Sequence, residues 1–144
     1  MNQAELFRLH PEYRHPKPPP ARLKLTRPDP AEAKILASVL QALNFYASVA
    51  WFTRANCAAG KLIYPDGSTS QYMRFGFPGC ADIIGQLKPR RPGEPGAWLA
   101  IECKRAGGRL SEAQEAFLAK VNANGGCGFV CRSVSDLQQH LGES

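Results

Sequence analysis

The segment Ala97-Trp98-Leu99-Ala100-Ile101-Glu102-Cys103-Lys104 decides how the rest of the chain reads. Its apolar run has the length and composition of a central strand. A period of two puts Trp98, Ala100, Glu102 and Lys104 on one face and Leu99, Ile101 and Cys103 on the other. An acid and a base therefore project together at the carboxyl end of a strand, where open α/β sheets tend to bind ligands. Burying either charge unpaired would be costly. For an isolated E-x-K tripeptide a surface ion pair is the simpler account, so the surroundings of this one carry the argument.

Just upstream, Cys80-Ala81-Asp82-Ile83-Ile84-Gly85-Gln86-Leu87 reads as a second strand, and Asp82 is the one acid in its apolar run. Adjacent strands can bring Asp82 and Glu102 together. A pair of carboxylates offering oxygen alone suits Mg²⁺ or Mn²⁺, hard ions that keep several waters and accept phosphate oxygens as further ligands. Such an ion supplies charge neutralisation on a phosphodiester and a lowered pKa for a bound water. An ammonium such as that of Lys104 can orient the water or stabilise the pentavalent transition state.

Downstream, Arg105-Ala106-Gly107-Gly108-Arg109-Leu110 turns the chain and Ser111-Glu112-Ala113-Gln114 has the form of a capping box. A helix follows, with Leu110, Ala113, Phe117, Leu118 and Val121 on its buried side and Asn124-Gly125-Gly126 at its end. Gln114 shares the face of Phe117 and Val121 and so points partly at the sheet, although the capping box alone also explains it. A fourth strand, Gly128 to Val134, and a short helix from Ser135 through about Leu141 complete this half.

Toward the N-terminus, Ser48-Val49-Ala50-Trp51-Phe52-Thr53-Arg54 reads as a strand. Residues 55–79 read as a long loop or irregular hairpin around Pro65-Asp66-Gly67-Ser68, presenting Lys61, Tyr64, Tyr72 and Arg74. Asp29-Pro30-Ala31-Glu32 starts a helix whose apolar stripe is Ile35, Leu36, Val39, Leu40 and Leu43. Glu32 lies on that stripe. Closing a capping box is its more economical reading, and a carboxylate at the edge of a buried face is the other. Residues 1–29 hold six basic and three acidic side chains and the prolines 11, 16, 18, 19, 20 and 28, so neither helix nor sheet is expected before Pro30. That stretch reads as a flexible basic arm, either a solvated linker or a phosphate-contacting extension.

Composition bounds the remaining possibilities. The chain has 144 residues, a net charge of +6 and 44% hydrophobic residues, enough for one domain with a core and too many apolar residues for a wholly disordered or collagen-like chain. No apolar run approaches the roughly 18 residues of a membrane span, and Met1 to Phe7 lacks a basic segment followed by an apolar one, so a cytoplasmic, non-secreted protein is expected. The odd cysteine count favours free thiols, and Cys127 with Cys131 has no matching second pair for zinc. His10, His15 and His140 stand apart from the carboxylates and are not read as catalytic. Trp51 and Trp98 sit in strand patterns, which favours core or rim packing over base stacking. Arg54, Lys61, Arg74, Arg105, Arg109 and Arg132 are candidate phosphate contacts that solubility would equally explain.

Taken in order, Glu32, then Gly76-Phe77-Pro78-Gly79-Cys80-Ala81-Asp82-Ile83-Ile84-Gly85, Ile101-Glu102-Cys103-Lys104, Ser111-Glu112-Ala113-Gln114 and Val130-Cys131-Arg132-Ser133-Val134 resemble the VRR-NUC (virus-type replication-repair nuclease) domain of the PD-(D/E)xK nuclease superfamily. The resemblance covers roughly residues 30–140. It implies an α/β restriction-endonuclease-like fold, a central mixed sheet flanked by helices, over residues 30–144. It further implies a Mg²⁺- or Mn²⁺-dependent endodeoxyribonuclease in which Asp82, Glu102 and the Cys103 backbone carbonyl hold metal. Lys104 would position the attacking water, Glu32 would bind metal directly or through water, and Gln114 would support Lys104. The family commonly has proline before the metal-binding aspartate, where this chain has Ala81.

Stand-alone members look like short phage or bacterial proteins, which implies a homodimer acting on branched DNA such as Holliday junctions, in the cytoplasm of a bacterial host or phage-infected cell. Symmetric cutting of two strands fits a twofold dimer. Two readings stand beside this one: a sequence-specific restriction-type nuclease, for which residues 55–79 alone leave room for a specificity element, and a non-catalytic basic nucleic-acid-binding module. An RNA substrate also remains open.

Overall fold

In chain order the computed structural model forms β1 (Arg22–Leu25), α1 (Pro30–Leu43), β2 (Val49–Arg54), β3 (Ala59–Ile63), β4 (Met73–Arg74), β5 (Ile83–Leu87), β6 (Trp98–Cys103), α2 (Glu112–Ala123), β7 (Cys127–Cys131) and α3 (Val134–Leu141). It describes Glu5, Arg8, Leu9 and residues 22–25, 29–55, 57, 59–71, 73–74 and 76–142. Residues 26–59 with 74–144 form one unit, and residues 1–25 with 60–73 form another.

The larger unit is built on a four-stranded sheet of order β2-β5-β6-β7. β2 and β6 run antiparallel to β5, while β7 runs parallel to β6. A parallel neighbour needs a crossover, and α2 supplies it between β6 and β7. The odd positions of β6, Leu99, Ile101 and Cys103, join Ile83, Phe129 and Cys131 in an apolar cluster with Leu36, Val39 and Leu43 of α1 and Leu137 and Leu141 of α3. On the opposite face Ala81 and Ala100 pack with Leu118 and Val121 of α2. The result is helix, sheet, helix, the mixed α/β arrangement expected from the sequence. Leu99 and Ile101 are wholly buried, so truncating either to alanine should cost about 2–5 kcal/mol.

In the smaller unit β1 pairs antiparallel with β3, from Arg22 opposite Ile63 to Leu25 opposite Gly60. With the helical backbone at Glu5, Arg8 and Leu9, this corrects the expectation that neither helix nor sheet precedes Pro30. The stretch Ala21 to Arg27 is free of proline, so its backbone donors remain available for a ladder. Most of the rest of the 1–29 arm lies outside the described residues. Segment 55–79 takes the hairpin form. Ile63 bridges Thr69, Tyr64 N–H donates to the Ser68 carbonyl, and Asp66 accepts from Ser68 N and Oγ.

Two further expectations change. β5 begins at Ile83, so Asp82 sits just ahead of the strand and not within it. Trp51 and Trp98 are each 44% exposed, which rules out the core half of the packing reading. All five cysteines are free, as expected. Among the described residues no helix is long and apolar enough to cross a membrane.

Candidate active site

Glu102 is the one buried charged residue of the described core, at 2% exposure. It follows Ala100 on the α2 side of β6, where the side-chain alternation placed it. Two donors converge on its Oε1. Lys104 Nζ lies 3.0 Å away, and the Gln114 side-chain amide donates from the first turn of α2. Its other oxygen, Oε2, is buried with no hydrogen-bond partner among the described residues. An unsatisfied carboxylate oxygen in a protein interior is expensive and points to a missing partner.

Asp82 is brought in from the neighbouring strand by two backbone bonds. Its Oδ2 accepts the Cys103 N–H at 2.8 Å, and its carbonyl accepts from Ala55 N. The carboxylate thus occupies the place of a ladder partner at the end of β6, one residue from Glu102. Gly79 presses the same segment against α2. Its φ is +80°, and a β-carbon there would overlap the Ala113 carbonyl next to Gln114. Phe77 adds an edge contact with Phe117, their centroids 5.0 Å apart. Ala81, standing where the family commonly has proline, is buried beneath α2 with Ala100, Leu118 and Val121.

Glu32 approaches from the other helical layer. Asp29 caps α1 by accepting from Ala31 N, and Glu32 lies 3.9 Å from Lys104 Nζ through its Oε2. The capping-box reading of Glu32 gives way here, because the N-cap carboxylate is engaged by the N2 amide and the Glu32 side chain turns to the lysine. Gly108 makes room for it, since a β-carbon at that position would come within 3.3 Å of Glu32 Oε1. Gln114 satisfies both of its readings at once. Its carbonyl oxygen accepts from Ser111 N at 2.9 Å while its amide nitrogen reaches Glu102. The resemblance implied support of Lys104, and the Glu102 oxygen that Gln114 reaches is the one that Lys104 meets.

The electrostatics follow from this packing. Burial, then the nearby Asp82 charge, push the Glu102 carboxyl up to about 7 despite the attraction of Lys104. Burial also raises Asp82, against the opposing pull of the Cys103 amide and Lys104. Desolvation works against the Lys104 charge, but Glu102, Glu32 and Asp82 outweigh it and hold the ammonium above its ordinary value. Lys104 is therefore a fixed cation and hydrogen-bond donor. The Cys103 thiol is buried and raised, far from thiolate chemistry.

Of the candidate phosphate contacts, Arg54 ends β2 on the Asp82 side, exposed and electrostatically coupled to that carboxylate. Arg105 is exposed but ion-paired, with Nε 3.1 Å from Asp29 Oδ2, and its carbonyl accepts from Arg132 at 2.7 Å. That tie between the helix N-cap and the loop after β6 spans 76 positions and leaves no local signal in the sequence. Arg109 is exposed on the same loop. Lys61 is exposed on β3 of the smaller unit, and the side chain of Arg74 lies outside the described residues.

Among the described residues no three His, Cys, Asp or Glu side chains close into a preformed metal cage. A Mg²⁺-type centre does not need one, because it draws on one or two carboxylates and completes its shell with water and phosphate oxygens. The open Glu102 Oε2, on a carboxylate that feels the Asp82 charge, fits such an ion by its chemistry.

Neither a curated protein nor a solved structure matches the chain. The model of the VRR-NUC domain matches residues 63–135, which is more than half of the chain and takes in Asp82, Glu102, Lys104 and Gln114 while leaving out Glu32. That domain is a nuclease domain of PD-(D/E)xK type, a class of hydrolases that generally uses divalent metals. With its mixed sheet, its flanking helices and this match, the chain belongs to the VRR-NUC family.

Proposed function

We propose that the protein is a metal-dependent, structure-selective endodeoxyribonuclease that hydrolyses phosphodiesters of branched DNA such as four-way junctions, acting as a homodimer. The observation that carries this reading is the buried Oε2 of Glu102, without a partner among the described residues, on a carboxylate whose other oxygen meets Lys104 and which feels the nearby Asp82 charge. A purely basic binding module gains nothing from a desolvated carboxylate, whereas a metal site requires one.

In this reading Asp82, Glu102 and the Cys103 backbone carbonyl hold Mg²⁺ or Mn²⁺, and Glu32 does so directly or through water. The bound ion supplies charge neutralisation at the scissile phosphate and a more acidic water. Lys104 would position the attacking water and set its ammonium against the negative charge that develops on the phosphoryl oxygens. Gln114 fixes Glu102 so that Oε2 stays free. Arg54, Arg105 and Arg109 lie on segments next to these residues and suit phosphate oxygens, and Lys61, Arg74 and the basic 1–29 arm are further candidate phosphate contacts.

The test is cleavage of labelled four-way junction and matched linear duplex with EDTA, Mg²⁺ or Mn²⁺, alongside Lys104→Ala. Junction-selective cutting that needs both metal and Lys104 is the expected result. Equal cutting of linear duplex at a fixed sequence would favour a restriction-type enzyme. Tight binding with no cutting in any ion would favour a binding module or an RNA substrate.

A further inference from the structure

The site uses the carboxyl end of β6, and the amino end of the same strand carries a feature without a role. Trp98 and Trp51 stand in edge-to-face contact, ring centroids 6.2 Å apart, each 44% exposed. Gln86 lies between them in register, opposite Trp51 on β2 and Trp98 on β6. The Trp51 indole N–H is already satisfied by Gln86 Oε1 at 3.0 Å. What Trp51 shows to solvent is therefore aromatic surface, while Trp98 shows its ring and an indole N–H without a partner among the described residues. Exposed tryptophan on a folded sheet is a poor choice for solubility alone.

Position and charge narrow the occupant. Trp98, Ala100 and Glu102 share one face of β6, so Trp98 stands about 13 Å from Glu102 along the strand, at about 3.3 Å per residue. Leu118 and Val121 of α2 cover the wholly buried Ala100 between them, so a strand that reaches both ends passes around α2. The loop joining β5 to β6 bears Lys88, Arg90 and Arg91 against Glu94, all exposed, and the whole chain is cationic. A second copy would bring the same net positive charge. A polyanion with π-faced bases is complementary to both features, because nucleobases stack on aromatic rings while cations track the backbone.

We propose that Trp51 and Trp98 form a stacking platform for unpaired nucleobases, holding single-stranded DNA beside a branch point at the opposite end of β6 from Glu102. The inference rests on the nuclease reading and deepens it, because it states how an opened junction is told from continuous duplex. Stacked bases inside a duplex are not available to the indoles, whereas splayed ones are.

The two tryptophans are the only ones in the chain, so intrinsic fluorescence reads this patch alone. In EDTA, where no cleavage interferes, the full-length protein is titrated with a short oligothymidylate and with a hairpin duplex of equal phosphate count. Quenching and a blue or red shift with the oligothymidylate, and little change with the duplex, are expected. Trp98→Leu should weaken oligothymidylate binding roughly 5- to 150-fold with duplex binding almost unchanged, while Trp98→Phe keeps most of the affinity. Trp51→Phe leaves Trp98 as the single reporter and should still quench. Equal responses to both DNAs, equal losses in the Leu and Phe variants, or a fluorescence change that follows protein concentration without DNA would each overturn the proposal, the last pointing to a second copy on this face. Quenching without cutting in Mg²⁺ or Mn²⁺ would count against the nuclease reading, and cutting without quenching against the platform.

Discussion

The first turns of α1 and α2 carry nearly the same four-residue signal and put it to different use. Asp29-Pro30-Ala31-Glu32 and Ser111-Glu112-Ala113-Gln114 each offer a good N-cap with Glu or Gln three residues later. In α2 the box closes in both directions, and the spare amide of Gln114 still reaches Glu102. In α1 the cap is made by Asp29 with Ala31 N alone, and Glu32 is released toward Lys104. A carboxylate has no donor to offer the buried Glu102 and can only face the cation; an amide can accept from the cap with one end and donate to the site with the other. The residue type at the third position thus decides whether a helix start braces the buried acid or adds another acid beside the lysine.

The strongest way to break this picture is to remove the cation on which both helices depend. Lys104→Met leaves Glu102 buried with only Gln114, and at about pH 8 it should lower stability to urea by about 3–5 kcal/mol, with a much smaller loss in acid, where Glu102 takes up a proton. An equal loss at both pH values would mean that Glu102 is not the charged partner.

Next comes the pH dependence of the metal-free wild type. The Glu102 carboxyl titrates near 4.5 when unfolded and about 7 when folded, so between those values the native state holds the extra proton. Stability is then fully present below about 4.5, falls as pH rises, and levels off above about 7, a loss of order 3 kcal/mol; the raised Asp82 carboxyl contributes with the same sign. Urea midpoints across that range should flatten in Glu102→Gln and recover when Mg²⁺ is added. A wild-type curve that rises with pH would contradict the burial of these acids.

The two helix starts are then compared directly. Gln114→Ala removes a cap contact and the brace on Glu102 together and should cost about 1–3 kcal/mol, against about 1 kcal/mol for Ser111→Ala, which loses only the cap. Glu32→Ala should cost less than about 1 kcal/mol, because its contact with Lys104 is long and partly solvated, yet it should weaken Mn²⁺ binding measured by calorimetry. If Glu32→Ala destabilises as much as Gln114→Ala, the proposed division of labour between the helices fails.

Much of the site was legible because its signals are local. The alternation in β6 separated Glu102 from Leu99, Ile101 and Cys103 without reference to anything else, and the Asp29 cap with the Leu36, Val39 and Leu43 stripe specified α1. The single acid in an apolar run marked Asp82, although not that its side chain would replace a ladder partner for Cys103 N. Strand β1 was missed because proline density was read over the whole arm, when a gap between prolines was enough for pairing. The exposure of Trp51 and Trp98 was missed because strand patterning tells which residues share a face and not whether a helix covers it.

Sequence alone therefore determined the helices and the four strands of the main sheet, their order, and which side chains share a strand face or helix stripe, since backbone geometry imposes periods of two and 3.6 on any chain. Tertiary structure decided which of those faces meet: that Gln114 braces Glu102, that Glu32 turns to Lys104 instead of closing its cap, and that one carboxylate oxygen is left buried and open. These outcomes depend on desolvation and on contacts between segments distant in the chain, and neither quantity exists until the sheet and its two helical layers have packed.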